Sequence, residues 1–280
     1  MKKKKGIIWA IVLLLLIAVG YFSFGNHESS QEKDTITVGI MSGSKPEQEI
    51  WETVAKTAKD KYGLNVKYKY FSDYSQPNAA LTSKSIDVNA FQNYPFLDSW
   101  NEAHHSKIVA VGDTIIEPMR IYSYKVNNVE ALKDGATIAV PNDANNESRA
   151  LQVLASAGLI KLNADDKLAS LKTITDNPKN LKIKEVDASQ TARSLNDIDA
   201  AVVNGNYAQT ANLDTKKAIY SEVFNQDSHK WINFIAANNE SKKDKRIQNL
   251  VKAYQNEETA KKIKKVSGIN QVPAWKIDLK

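Results

Sequence analysis

The 280-residue chain contains no cysteine. That excludes disulfides and metal sites built on thiolates. Glycine motifs that cradle phosphates are also missing: neither Gly-x-Gly-x-x-Gly nor Gly-x-x-x-x-Gly-Lys-Ser/Thr occurs. There is no Gly-x-Ser-x-Gly elbow to expose a nucleophilic serine. His104 and His105 have acidic neighbours but no partner one helical turn away, so no metal site is expected. Acidic residues are scattered without a catalytic pairing, and neither an enzyme nor a cofactor is expected. Long-range charge is lacking too. Lys2–Lys5 carry four of the net six positive charges, so the body is close to neutral and the pI of 9.1 does not point to nucleic acid. Internal repeats and low-complexity tracts are absent from the body.

One long apolar run is present, at the N-terminus: "MKKKKGIIWAIVLLLLIAVGYFSFG". Four lysines precede a stretch from Ile7 to Phe24 that is slightly short of the roughly 20 residues a membrane span needs. A basic-then-apolar order is that of a secretory signal, with cleavage conceivable after Gly25. It equally suits an uncleaved anchor with its lysines held inside. Both readings export the body, placing it on the extracellular face of the cell membrane or releasing it. The polar stretch 26–34 reads as a tether.

Beyond the tether, strand and helix patterns alternate. "TITVGIM" (35–41) reads as a strand. "KPEQEIWETVAKTAKDKYG" reads as a helix with Pro46 in its first turn, Gly63 at its end, and Ile50, Trp51, Val54 and Ala58 on one stripe. "NVKYKYF" and "DVNAF" read as strands, "QPNAALTSKSI" and "YPFLDSWNEAH" as helices. Residues 107–124 form one long β-rich stretch broken at Pro118, which fits a passage between domains. A second block repeats the alternation: "GATIAV", a helix from about 146 to 157, "NLKIKEV", "TARSLNDI" and "DAAVVNGNYAQTA". "WINFIAANN" is a late strand before charged terminal helices. Alternating strands and helices imply α/β layers with mainly parallel pairing. Two such blocks imply two lobes and a cleft.

Three groups of residues are candidates for binding. With the helix starting near Asn146, Arg149 falls in its first turn, where free N–H groups already present positive partial charge. Such a turn at the carboxyl end of a strand attracts anions, so a ligand carboxylate between the helix and a bidentate guanidinium would account for the arginine. The alternative is an arginine facing solvent, or paired with Glu147 or Asp143. Next, Asn204 and Asn206 flank Gly205 directly after an apolar strand; amides there can serve both an amino group and a carboxylate, or simply form a turn. Finally, Tyr74, Phe91, Tyr94 and Phe96 cluster near loop edges, as a small-molecule pocket requires, or as core packing would.

These segments resemble the NlpA/MetQ-type substrate-binding lipoproteins that serve ABC importers for methionine. The resemblance runs from about Thr35 to Trp275 and is carried by "FSDYSQPNAAL", "DVNAFQNYPFLDSWN", "IIEPMRIYS", "DGATIAVPNDANNESRALQVLASAGLIKL", "NPKNLKIKEVDA", "DAAVVNGNYA" and the terminal "QVPAW". It implies a type II periplasmic-binding-protein fold: two α/β lobes joined by two crossover strands with a ligand cleft between. The expected division is a signal or anchor at 1–25, a tether at 26–34, one lobe from 35–120 plus 228–280, and another from 121–227.

The resemblance also implies roles. Arg149 would grip a ligand's α-carboxylate and Asn204 would contact the amino acid backbone, with Asn145 in the matching loop. Tyr74 and Phe91 would line the side-chain pocket with Tyr94, and Glu117 and Tyr122 would lie at the crossover. The partners implied are an amino acid or short peptide and an importer permease, with the protein a monomer that meets the membrane through its N-terminal segment.

Departures from the family pattern matter. Methionine binders commonly read Asn-Phe-Phe-Gln-His where this chain has Asn89-Ala90-Phe91-Gln92-Asn93. Ala90 opens volume and Asn93 changes the polarity of the wall. Arg120 stands where a glycine commonly follows Glu-Pro-Leu. "LIAVG" (16–20) looks like a lipobox with Val19 in the place of the lipidated cysteine, so no diacylglycerol can be attached there. The ligand expected is an amino acid, methionine first, with another amino acid or a short peptide as the alternative and an exported hydrolase further behind.

Overall fold

A computed structural model describes residues 34–163 and 168–279. The anchor segment 1–25 and the tether up to residue 33 lie outside the described residues. Among the described residues no helix is long and apolar enough to cross a membrane.

The chain runs β1 (Thr35–Met41), α1 (Lys45–Tyr62), β2 (Asn65–Phe71), α2 (Pro77–Thr82), β3 (Val88–Asn93), α3 (Tyr94–His104), β4 (Ile108–Asp113), β5 (Ile115–Ile116) and β6 (Arg120–Tyr122). It continues through β7 (Thr137–Pro141), α4 (Ala144–Ser156), β8 (Lys161–Leu162), β9 (Ile174–Asp176), β10 (Lys182–Val186), α5 (Thr191–Ser194), β11 (Ala200–Val203), α6 (Gly205–Thr210) and β12 (Ala218–Ser221). It ends with β13 (Asn233–Asn238), α7 (Lys245–Tyr254), α8 (Glu257–Ser267) and β14 (Val272–Pro273).

Two five-stranded sheets result. The first has the order β2-β1-β3-β13-β4; β1 pairs parallel with β2 and β3, and the late strand β13 returns antiparallel between β3 and β4. The second has the order β10-β7-β11-β6-β12, parallel around β7 and antiparallel around β6. The chain passes between the sheets twice, through 114–119 and through 222–232.

Local chemistry explains the elements. In α1 the Ser44 hydroxyl accepts from the Glu47 N–H, and Gly63 closes the last turn at φ 66°, a left-handed geometry that costs glycine little. Its stripe of Ile50, Trp51, Val54 and Ala58 is buried against Ile36, Val38 and Ile40 of β1. Each large apolar side chain buried this way stabilises by about 1.5–3 kcal/mol.

The structure departs from the sequence reading in two places that bear on the site. The β-rich stretch 107–124 is not one strand: β4 belongs to the first sheet, β6 to the second, and Glu117–Met119 between them is irregular. Pro118 has no N–H to offer a ladder, which fits the break. Helix α4 starts earlier than expected, because the Asp143 carboxylate accepts from the Asn146 N–H and caps it. Arg149 is therefore the sixth helical residue, beyond the first turn, and the argument from its place among free N–H groups loses its premise.

Candidate functional site

A cavity with about 450 Å³ of empty space, open solvent at its mouth included, lies where the two sheets face each other. Tyr74, Phe91, Gln92, Asn93 and Phe96 approach from the first block, with Trp231 from the return passage and Asn233 from the start of β13. Asn146, Arg149, Asn204, Gly205 and Asn206 approach from the second block, and Glu117 and Met119 from the crossover.

Arg149 is buried and makes a two-pronged ion pair with Glu222. Its Nε donates to Oε1 at 3.1 Å and its Nη2 to Oε2 at 2.6 Å. Nη2 also donates to the Glu117 carbonyl at 2.8 Å, and the guanidinium lies 4.8 Å over the Trp231 ring. No bond from Nη1 occurs among the described residues. The expected alternatives, a solvent-facing arginine or one paired with Glu147 or Asp143, are not what is seen. Glu222 comes from just beyond β12, and its Oε2 also accepts from the Met119 N–H at 2.9 Å.

The amides form a chain with loose ends. Asn204 donates from Nδ2 to Asn146 Oδ1 at 2.7 Å, and Asn146 in turn donates to the Asp143 carboxylate. Asn204 Oδ1 is buried without a partner, and so is Asn206 Nδ2. Asn206 Oδ1 accepts from the Tyr74 hydroxyl at 2.5 Å, a bond that ties the two blocks together across the cavity. Further ties are Ser44 Oγ to Gln209 Oε1 at 2.7 Å and Tyr207 Oη to the Ser72 carbonyl at 3.3 Å. A buried polar atom left unpaired costs about 1–3 kcal/mol, so two in one cavity mark a place for a polar guest.

Of the residues singled out in the sequence, Tyr74, Phe91, Asn93, Phe96, Glu117, Arg149, Asn204 and Asn206 lie at this cavity. Three do not. Tyr94 turns outward, its hydroxyl donating to Asp113 and its ring lying 4.7 Å from that of Phe234. Asn145 accepts from Ser99 Oγ at 3.4 Å and does not line the cavity. Tyr122 is buried in an apolar cluster that residues of both sheets share, and it does not line the cavity. Asn93 has a second task, accepting from the Phe96 N–H to cap α3. Asn146, Trp231, Asn233 and Glu222 were missed. Glu222 stands 73 positions from its partner, and no local pattern marks it.

Burial raises the pKa of the Glu117 carboxyl, opposed by hydrogen bonds and by the charges of Arg149 and Arg120. Its carboxylate accepts from Gln209 at 3.0 Å and from Gln271. Nearby, half-buried Glu47 is pushed up to about 8, first by loss of water and then by the charge of Glu117. A carboxyl that holds its proton more tightly when folded makes stability fall as pH rises from its ordinary value of 4.5 to about 8. At about 1.4 kcal/mol per pKa unit, discounted for partial exposure, Glu47 alone should cost about 2 kcal/mol across that range. Denaturant melts at pH 5 and pH 8 check this: Glu47→Gln should be less sensitive to the change by that amount, and an unchanged difference would contradict the assignment.

The NlpA lipoprotein family profile matches residues 36–275, nearly all of the described chain. The chain belongs to the NlpA lipoprotein family. A family member from Haemophilus influenzae, the probable D-methionine-binding lipoprotein MetQ, is 38% identical over 98% of this chain and 100% of its own. The substrate binding protein of a methionine transporter from Streptococcus pneumoniae superposes with a TM-score of 0.81 at 40% identity, covering 85% of this chain and 95% of that one. A nutrient binding protein from Burkholderia cenocepacia, solved bound to methionine, superposes at 0.80 with 45% identity, covering 85% and 99%. The fold is thus the two-lobed type II periplasmic-binding-protein arrangement that the sequence led us to expect.

Proposed function

We propose that this protein is the substrate-binding component of an ABC importer, exported to the outer face of the cell membrane, and that it captures an amino acid between its lobes for delivery to a permease. Methionine leads as the ligand, because solved relatives of the same fold are named for it. The observation that carries the reading is the pair of buried, unpaired amide atoms, an acceptor on Asn204 and a donor on Asn206, in the same cavity as a buried guanidinium. A zwitterion supplies what each lacks. Its ammonium donates to Asn204 Oδ1 and the Glu117 carboxylate, while its carboxylate accepts from Asn206 Nδ2 and Arg149. Tyr74, Phe91, Phe96 and Asn93 enclose the side chain.

The lobes of this reading are 35–120 with 228–280, and 121–227, with the two passages between sheets as the hinge. Closure on a ligand is then a shift between open and closed forms. The protein works as a monomer, needs no cofactor, and is held at the membrane by its own N-terminal apolar segment in the absence of a lipidated cysteine. The role calls for retention of the guest rather than chemistry upon it.

The test is calorimetric titration of the purified protein with a panel of amino acids. Methionine should bind, and Asn204→Ala should weaken it by roughly 1.5–3 kcal/mol, a factor of about ten to a hundred. Absence of heat and of any thermal shift with every amino acid would refute the reading.

A further inference from the structure

Helix α6 comes from the second block, yet four of its six residues bond to the first. Asn206 accepts from the Tyr74 hydroxyl, and the Tyr207 hydroxyl donates to the Ser72 carbonyl at 3.3 Å. Gln209 Oε1 accepts from Ser44 Oγ at 2.7 Å, and Thr210 Oγ1 donates to the Ser42 carbonyl at 3.3 Å. Positions 206, 207, 209 and 210 are related by steps of three and four, so they share one face of the helix. Their partners lie in the loops that follow β1 and β2. The Tyr74 and Tyr207 rings add a contact at 4.9 Å across the same seam. Elsewhere α3 meets α4 through a longer bond, Ser99 Oγ to Asn145 at 3.4 Å.

The close fit depends on Gly43. Its φ is 95°, a conformation that side chains rarely adopt, and a Cβ there would lie 2.5 Å from Thr210 Cγ2. A larger residue at 43 would hold loop and helix apart. None of the four bonds involves a charged group. Of the residues that make them, Tyr74 and Asn206 line the cavity between the sheets, and the other six do not. The bonds of Tyr207, Gln209 and Thr210 therefore form between protein groups that a guest in the cavity does not touch.

Resting on the reading that the two blocks close on a guest, we propose that α6 is a latch. Its seam with residues 42–44 and 72–74 stabilises the closed form by itself, and so sets how slowly a guest leaves. Affinity scales with the share of protein in the form that holds the guest. Weakening the seam lowers that share without altering one contact in the cavity. Entry, which takes place through the open form, keeps its rate, and the change falls on release.

Two variants of the full chain test this. Tyr207→Phe/Thr210→Ala removes two bonds of the seam and keeps the buried ring. In stopped-flow measurements methionine should leave it about threefold to thirtyfold faster, the range expected for two modest hydrogen bonds, while the association rate stays within about threefold of wild type. The second variant is Gly43→Cys/Thr210→Cys. The chain has no cysteine of its own, and a Cβ built on Gly43 lies 3.4 Å from that of Thr210, about the separation a disulfide spans. Oxidised glutathione should cross-link this variant within one chain. The cross-linked form should take up and release methionine at least tenfold more slowly, and dithiothreitol should restore both rates.

Release from the first variant within twofold of the wild-type rate would overturn the latch. So would cysteines that stay reduced, or a cross-linked chain that exchanges methionine as fast as the reduced one. Cross-linking needs no guest, so it separates the two readings. If the bridge forms and wild type binds no methionine, the transport reading falls and the seam stands. If methionine binds and the bridge does not form, only the latch falls.

Discussion

Arg149→Met should cost about 3–5 kcal/mol of stability, the largest loss expected from any single substitution at the cavity. The reason lies in what remains. Arg149 and Glu222 are buried to 7% and 13% side-chain exposure, and the pair shares two hydrogen bonds. Removing the cation strands a carboxylate in a place with little water, and breaking a buried pair from one side costs that much. In a domain of this size, about 2–4 °C per kcal/mol converts the loss to roughly 10 °C in melting temperature. Adding Glu222→Gln should return most of it, since the amide keeps its bond from the Met119 N–H and carries no charge. Thermal melts of the two variants check both halves. A single variant as stable as wild type, or a double variant no better than the single, would show that the pair does not hold the lobe together.

Gly205→Ala should cost about 1–3 kcal/mol and weaken ligand binding as well. Gly205 sits at the start of α6 with no special backbone angle, so its freedom of conformation is not the reason for it. Space is. A Cβ there would come within 2.7 Å of Glu117 Oε2 and 2.9 Å of Glu117 Cβ and Cδ. Those atoms cannot drift freely, because Gln209 and Gln271 hold the carboxylate and Arg149 holds the carbonyl. Overpacking of this kind forces side chains from their wells at about that cost. Trimming the obstacle tells the cause apart from a general helix effect. In a Glu117→Ala background, Gly205→Ala should be close to neutral for stability. Equal penalties in both backgrounds would rule out the steric account.

The sequence carried much of this. Period and caps placed α1 with its buried stripe, and the late strand "WINFIAANN" was legible as β13 by its apolar run, though not its antiparallel place between β3 and β4. Arg149 was singled out on a premise the structure removes: a cap at Asp143 moves the helix start, and the guanidinium is buried for a different reason, an ion pair from a distant strand end. Pairing across that distance has no periodic signature, so Glu222 was invisible. The aromatic cluster was seen as a group, but Tyr94 and Phe96 could not be separated. Two residues apart on the first turn of α3, one reaches out to Asp113 and the other turns toward the cavity. Asn93 was read as a change in pocket polarity and proves also to cap a helix, which ties its identity to folding as much as to any ligand.

The central claim is that a guest's carboxylate meets Arg149 between the lobes. The most direct measurement is a calorimetric titration of methionine into the Arg149→Met/Glu222→Gln double variant, after melts establish that it is folded. The account predicts a loss of affinity of at least tenfold, and up to about a hundredfold. A folded double variant that binds methionine as tightly as wild type would contradict it.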